Sequence, residues 1–99
     1  MDTKFKVEIT PAFESDLRRF EHNLEAYPRK IARITAKIHK SLLLLHAMPL
    51  IYPVYLDVPK YRKIVIEDYL VLYTVDKRKN LVEVRRLLYS RMNIPDLIV

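Results

Sequence analysis

Between Tyr61 and Met92 the chain reads YRKIVIEDYLVLYTVDKRKNLVEVRRLLYSRM. Dense Val, Ile, Leu and Tyr in short runs bounded by polar residues predict three strands, 61–66, 69–75 and 81–89. The links between them, Glu67-Asp68 and Asp76 to Asn80, are short enough to make both pairs hairpins and therefore antiparallel. The sequence contains no glycine, so a turn that needs positive φ must use Asn or Asp, or avoid that region. Asn80 is the natural residue to close the second hairpin. Glu67-Asp68 suits a tight primed turn poorly, which predicts a wider or strained first hairpin.

A meander of this kind must be covered on one face by what precedes it. Phe5, Val7 and Ile9 alternate with Lys4, Lys6 and Glu8, the pattern of a half-buried strand. Thr10-Pro11 then reads as an N-cap followed by proline at the first helical position. Phe13, Leu17, Phe20 and Leu24 recur at spacings of four, three and four, predicting an amphipathic helix over 11–23. Tyr27-Pro28 breaks it and starts a second helix over 28–46, with Ile31, Ile34, Ile38, Leu42 and Leu45 as its buried stripe. Lys30, Arg33, Lys37 and Lys40 form another stripe on that helix. Such rows are usually a solvated face; the sharper alternative is a docking face for an acidic partner or phosphates. Three prolines between Met48 and Pro59 predict an extended connection with at most a short edge strand. The apolar tail Leu97, Ile98 and Val99 either folds back onto the core or meets a partner. The expected architecture is α+β, in the order β-α-α-β-β-β, with a helical hairpin on one face of a curved, mainly antiparallel sheet.

Ninety-nine residues make a single domain, 1–99, and a hydrophobic share of 51% is enough for a small core. Without cysteine there is neither a disulfide framework nor a thiolate metal site. The longest aliphatic run, Leu42 to Leu45, is far too short to span a bilayer, and no signal peptide is visible, so a cytoplasmic protein away from the membrane is expected. A net charge of +6 implies a polyanion or an acidic protein as partner, or merely solubility.

Strand parity puts Val82, Val84 and Leu88 toward the helices and Glu83, Arg85, Leu87, Tyr89 and Arg91 on the open face. Arg86 then falls among apolar neighbours and needs a buried ion pair, with Glu8, Asp57 or Glu67 as candidate partners, or a twist that lifts it clear. Lys60, Arg62 and Lys63 cluster at the start of the first meander strand. If the sheet curves, they overlook the same basin as Tyr89 and Arg91. A cationic basin with Tyr61, Tyr69, Tyr73 and Tyr89 nearby suits phosphates and stacked bases, although strand tyrosines are more often packing residues with a wet tip. His22, His39 and His46 find no carboxylate or further histidine at ligand spacing, and Ser15, Ser41 and Ser90 have no base beside them. No metal and no cofactor is expected.

The run from Tyr61 to Ile94, together with VEITPAFESDL and MPLIYPVY upstream, resembles toxins of the RelE/ParE superfamily from bacterial type II toxin–antitoxin modules. The resemblance implies an acidic antitoxin as partner and one of two activities. RelE-like members cut mRNA on the ribosome, directing the substrate's 2′-OH at its own phosphate without a metal. On that reading Arg62, Tyr89 and Arg91 are the catalytic candidates, with Arg62 stabilising the transition state and Tyr89 moving a proton or stacking. Lys60, Lys63 and Arg85 would hold the RNA backbone. ParE-like members instead poison DNA gyrase and need no nuclease site. Two departures weigh against cleavage: Met92 stands where the family carries an arginine, unless Arg91 replaces it, and Leu97 and Ile98 stand where some nucleases place a late tyrosine. Ribosome-dependent cleavage leads narrowly on the cationic basin. Gyrase inhibition is the close alternative, and a non-catalytic basic binding domain is a third.

Overall fold

The computed structural model describes residues 4–98, so Val99 of the apolar tail lies outside the described residues. The element order is β1 (Lys6–Ile9), α1 (Pro11–Asn23), α2 (Pro28–Leu44), β2 (Arg62–Ile66), β3 (Tyr69–Asp76), β4 (Leu81–Tyr89) and α3 (Ile94–Ile98). The expected β-α-α-β-β-β order holds, with a short C-terminal helix added. The strands form one sheet in the order β1-β4-β3-β2. β3 pairs antiparallel with both hairpin neighbours, while β1 runs parallel to β4. The helical hairpin, which returns the chain across one face, accounts for that parallel edge.

Thr10 caps α1 as its sequence predicts, its hydroxyl accepting from Phe13 N at 3.2 Å, with Pro11 filling the first helical turn. Phe13 and Phe20 from α1 and Ile34 and Ile38 from α2 are buried against Ile64, Ile66, Val71, Tyr73, Val82, Val84 and Leu87 of the sheet. α2 ends at Leu44, slightly short of the expected boundary. The turns behave as the missing glycine demands. Asn80 takes φ 50° and Glu67 takes φ 54°, both left-handed. For Glu67, with neither glycine's freedom nor asparagine's tolerance, that conformation costs about 1–2 kcal/mol. The strain expected at the first hairpin is therefore real, but the turn stays tight, because Ile66 pairs directly with Tyr69.

Register corrects the expected faces. Leu72 pairs with Arg86 but Tyr73 pairs with Val84, so Arg85 is an extra residue in β4, a bulge. Beyond it the alternation flips. Val82, Val84 and then Leu87 face the helices, whereas Leu88 faces away. The assignments of Leu87 to the open face and Leu88 to the helix face are thus reversed, because parity counted without the bulge is off by one after Arg85.

The far face of the sheet is filled as well. Tyr55, Tyr61, Leu70, Leu72, Leu88 and Ile94 form a second apolar cluster there. The expected cationic hollow is instead a hydrophobic layer, closed by the proline-rich connection and by α3.

Candidate functional site

The six residues singled out from the sequence do not meet. Arg62 shares a strand face with Ile64 and Ile66, on the helix side. Its Nη1 donates to Tyr52 O at 2.7 Å and to Leu50 O at 3.4 Å, which ties it into the α2–β2 connection. Tyr89 lies at the opposite end of the sheet. Arg62 pairs with Tyr73 and Tyr89 pairs with Tyr69. Their β3 partners are four positions apart, which offsets the two by about 13 Å along the strand direction at the usual rise per residue. Arg91 follows β4 in an exposed turn.

Lys63 and Tyr61 point to the other face, as parity requires. Lys63 Nζ sits 5.9 Å from the Tyr55 ring centre and Lys60 Nζ 5.2 Å from that of Tyr61. Arg85, at the bulge, is turned toward Glu83 at 3.6 Å and helps line a shallow cavity with Tyr61 and Arg86. Lys60, Lys63 and Arg85, expected to hold RNA, thus border one face, while Arg62, Tyr89 and Arg91, expected to catalyse, are scattered between the helix side and the C-terminal turn.

Tyr89 does sit in a cleft. Arg19, Phe20, Asn23, Tyr69, Tyr89 and Met92 line a cavity of about 240 Å³ between α1 and the end of β4. Tyr69 stands edge-on to Phe20 at 5.1 Å and to Tyr89 at 5.7 Å. Burial, with Tyr89 and Asp68 adding to it, pushes the Tyr69 phenol up, so it stays protonated at neutral pH. Met92 also lines this cleft and brings no charge to it. Arg19 is drawn to Asp16 at 3.4 Å. Aromatic walls with a polar rim suit an apolar or aromatic anchor better than a reacting phosphate.

The residue that sequence reading missed is Asp16. Its side chain is only 2% exposed. It accepts from Arg86 Nε at 2.7 Å, from Arg86 Nη2 at 3.2 Å and from the Leu87 amide at 3.0 Å. Arg86 therefore does have a buried ion pair, but its partner is none of Glu8, Asp57 and Glu67. The hydrogen bond from Arg86 to Asp16 holds the guanidinium above its already high range. A signal was present: Asp16 falls three residues after Phe13 and four before Phe20, on the stripe of α1 that must be buried. Glu67 is committed elsewhere, taking Arg33 Nε and Nη2 at 2.9 Å each and Lys37 Nζ at 3.0 Å. Among the described residues no cluster of His, Asp or Glu could hold a metal ion, and no helix is long and apolar enough to cross a membrane.

Comparison with known proteins identifies the family and the fold. Residues 7–94 match the family described as the ParE toxin of the type II toxin–antitoxin system, parDE. Among solved structures, the chain resembles one from the chromosomal ParDE toxin–antitoxin system of P. aeruginosa, with 14% identity and a TM-score of 0.73 over 90% of this chain and 99% of that one. It also resembles a chain of the toxin–antitoxin complex RelBE2 from Mycobacterium tuberculosis, at 22% identity and a TM-score of 0.62, over 90% and 94% of the two chains. YafQ from E. coli strain BL21(DE3) aligns at 19% identity and a TM-score of 0.56, over 97% and 100%. No curated protein matches by sequence. The α+β order, the parallel β1–β4 edge and the helical hairpin are the RelE/ParE-like fold. With the family matched over most of its length, the chain belongs to the ParE toxin family of type II toxin–antitoxin systems.

Proposed function

We propose that this toxin arrests growth by binding DNA gyrase rather than by cutting mRNA, and that a small acidic antitoxin neutralises it in the cytoplasm. One observation carries the choice: the groups that cleavage would need do not converge. Transesterification of RNA requires a cation and a proton-transfer group within hydrogen-bond reach of the same phosphate. Here Arg62 is bound to main-chain carbonyls at one end of the sheet and Tyr89 stands at the other. The face that should have formed a cationic hollow is packed with Leu70, Leu72, Leu88 and Ile94. A surface of apolar clefts fringed by lysine and arginine fits a macromolecular target better than a reaction centre. On this reading neither metal nor cofactor takes part, and the +6 charge serves the antitoxin contact.

Two assays on purified toxin decide it. Supercoiling by gyrase is expected to fall with rising toxin, while ribosome-bound mRNA acquires no new ends. Codon-specific mRNA cuts with supercoiling intact would overturn the reading. So would loss of growth arrest in Arg62→Ala that tracks loss of RNA cleavage.

A further inference from the structure

The cleft between α1 and the end of β4 offers more than its own packing uses. Tyr69 and Tyr89 meet at 67° with ring centres 5.7 Å apart, so they form two sides of a slot rather than a closed stack. Phe20 stands behind Tyr69 at 90° and is buried. Among the described residues no buried side-chain oxygen or nitrogen lacks a partner. The Tyr69 and Tyr89 hydroxyls, which bond to no protein atom there, therefore stand open to solvent in the cleft.

The charge of the slot is decided by Asp16 and its cations. Each Asp16 oxygen already takes two donors. Oδ2 takes Arg86 Nε and the Leu87 amide, and Oδ1 takes Arg86 Nη2 and Arg19 Nη1. One carboxylate thus meets two guanidinium groups, which leaves one positive charge over. Arg19 carries that surplus: its contact with Asp16 is the longest of the four, 3.4 Å, and its side chain is 53% exposed where it lines the cleft. Asp68 puts a negative charge near the Tyr69 hydroxyl, so a second anion belongs at Arg19 and not beside Tyr69. With the acceptors of Asp16 spent, the slot presents π surface on two sides and donors at one end.

We propose that this cleft binds a small planar aromatic acid, with its ring between Tyr69 and Tyr89 and its carboxylate on Arg19. At about 240 Å³ the space is below the ~300–1,000 Å³ usual for drug-sized ligands, which limits the occupant to one or two rings. Aromatic walls also attract cations, but the free guanidinium of Arg19 turns a cation away. This site is separate from the choice between gyrase and mRNA as the target.

Indole-3-carboxylate, titrated into the full isotope-labelled chain and followed by chemical shifts, tests it. A Kd on the order of 1 mM is expected, with the shifts centred on Arg19, Asn23, Tyr69, Tyr89 and Met92. Indole-3-carboxamide keeps the shape without the charge and should bind about tenfold more weakly. Arg19→Gln should bring the acid down to the level of the amide and leave the amide unchanged. Tyr89→Leu removes a wall and should weaken both together. If Arg19→Gln weakens acid and amide alike, Arg19 only shapes the cleft and the proposal is overturned. The same follows from equal binding of acid and amide by the parent, from tighter binding of the cationic 3-(aminomethyl)indole, or from shifts centred outside the cleft. Absence of any shift at about 10 mM ligand overturns it as well.

Discussion

The sheet has two edges that pose one problem and receive opposite answers. β4 runs on to Tyr89, although its parallel neighbour β1 stops at Ile9, opposite Val84. β2 runs on to Ile66, although the loop alongside it leaves after Lys63. On the β4 side the exposed main chain is sealed from α1. Thr10 places its amide on Val84 O at 3.1 Å and its hydroxyl between the Val84 and Arg85 carbonyls, at 3.1 and 3.2 Å. Asp16 takes the Leu87 amide and ties in Arg86. On the β2 side nothing comparable stands beside Val65 among the described residues. Because a fold that can seal one edge with buried side chains leaves the other open, that openness reads as an accessible surface, and the cations of α2 beside it set its charge.

The largest test of this contrast is Asp16→Ala. It leaves a guanidinium and a main-chain amide without their partner in a buried place, and should cost about 3–5 kcal/mol, read as a fall in the denaturation midpoint. That is a large fraction of a small domain's stability. Asp16→Asn keeps an acceptor for Leu87 and should lose less. Val65→Thr on the open edge should leave stability nearly unchanged; comparable losses at the two edges would break the comparison.

An intermediate effect is expected from Thr10→Val, which keeps shape but loses both the α1 cap and the hydroxyl contact with β4. About 1–2 kcal/mol should disappear, visible as a lower melting temperature.

The smallest effect concerns Glu67, beside the open edge. Hydrogen bonds from Arg33 and then Lys37 lower its carboxyl to about 2, against an ordinary value near ~4.3. The folded value lies below the unfolded one, so the clamp's contribution is complete above about pH 4.3 and fades as pH falls toward 2. Melts of the parent and Glu67→Gln should therefore differ above pH 5 and converge in acid. A constant gap across that range would mean that Glu67 acts through its strained backbone rather than its charge.

Much of this was legible before any coordinates. Period-two runs marked β2, β3 and β4, the apolar spacing in α1 and α2 marked two helices, and Thr10-Pro11 marked where the first begins. Asn80 was the natural residue for a left-handed turn in a chain without glycine. The site was not legible in the same way. A single residue, Arg85, inserted into β4 inverts every side chain after it, and the hydrophobic pattern around Leu87-Leu88 reads equally well in either register. The cationic basin dissolved for that reason, and because the proline-rich connection and Ile94 fold over the face left for it. Asp16 and Arg86 each break the pattern of their own element. Read together, two violations of opposite sign pointed to one another more firmly than Glu8, Asp57 or Glu67 did.

The amino-acid order by itself determined the first six of the seven elements, their sequence along the chain and the family, because those depend on periodicities and turn chemistry that act over a few residues. Only the tertiary structure decided which side chains share a surface. That outcome depends on register, and register follows from long-range pairing: a bulge opposite the Leu72–Tyr73 step, a buried carboxylate arriving from α1, and a loop that accompanies β2 for half its length and then departs.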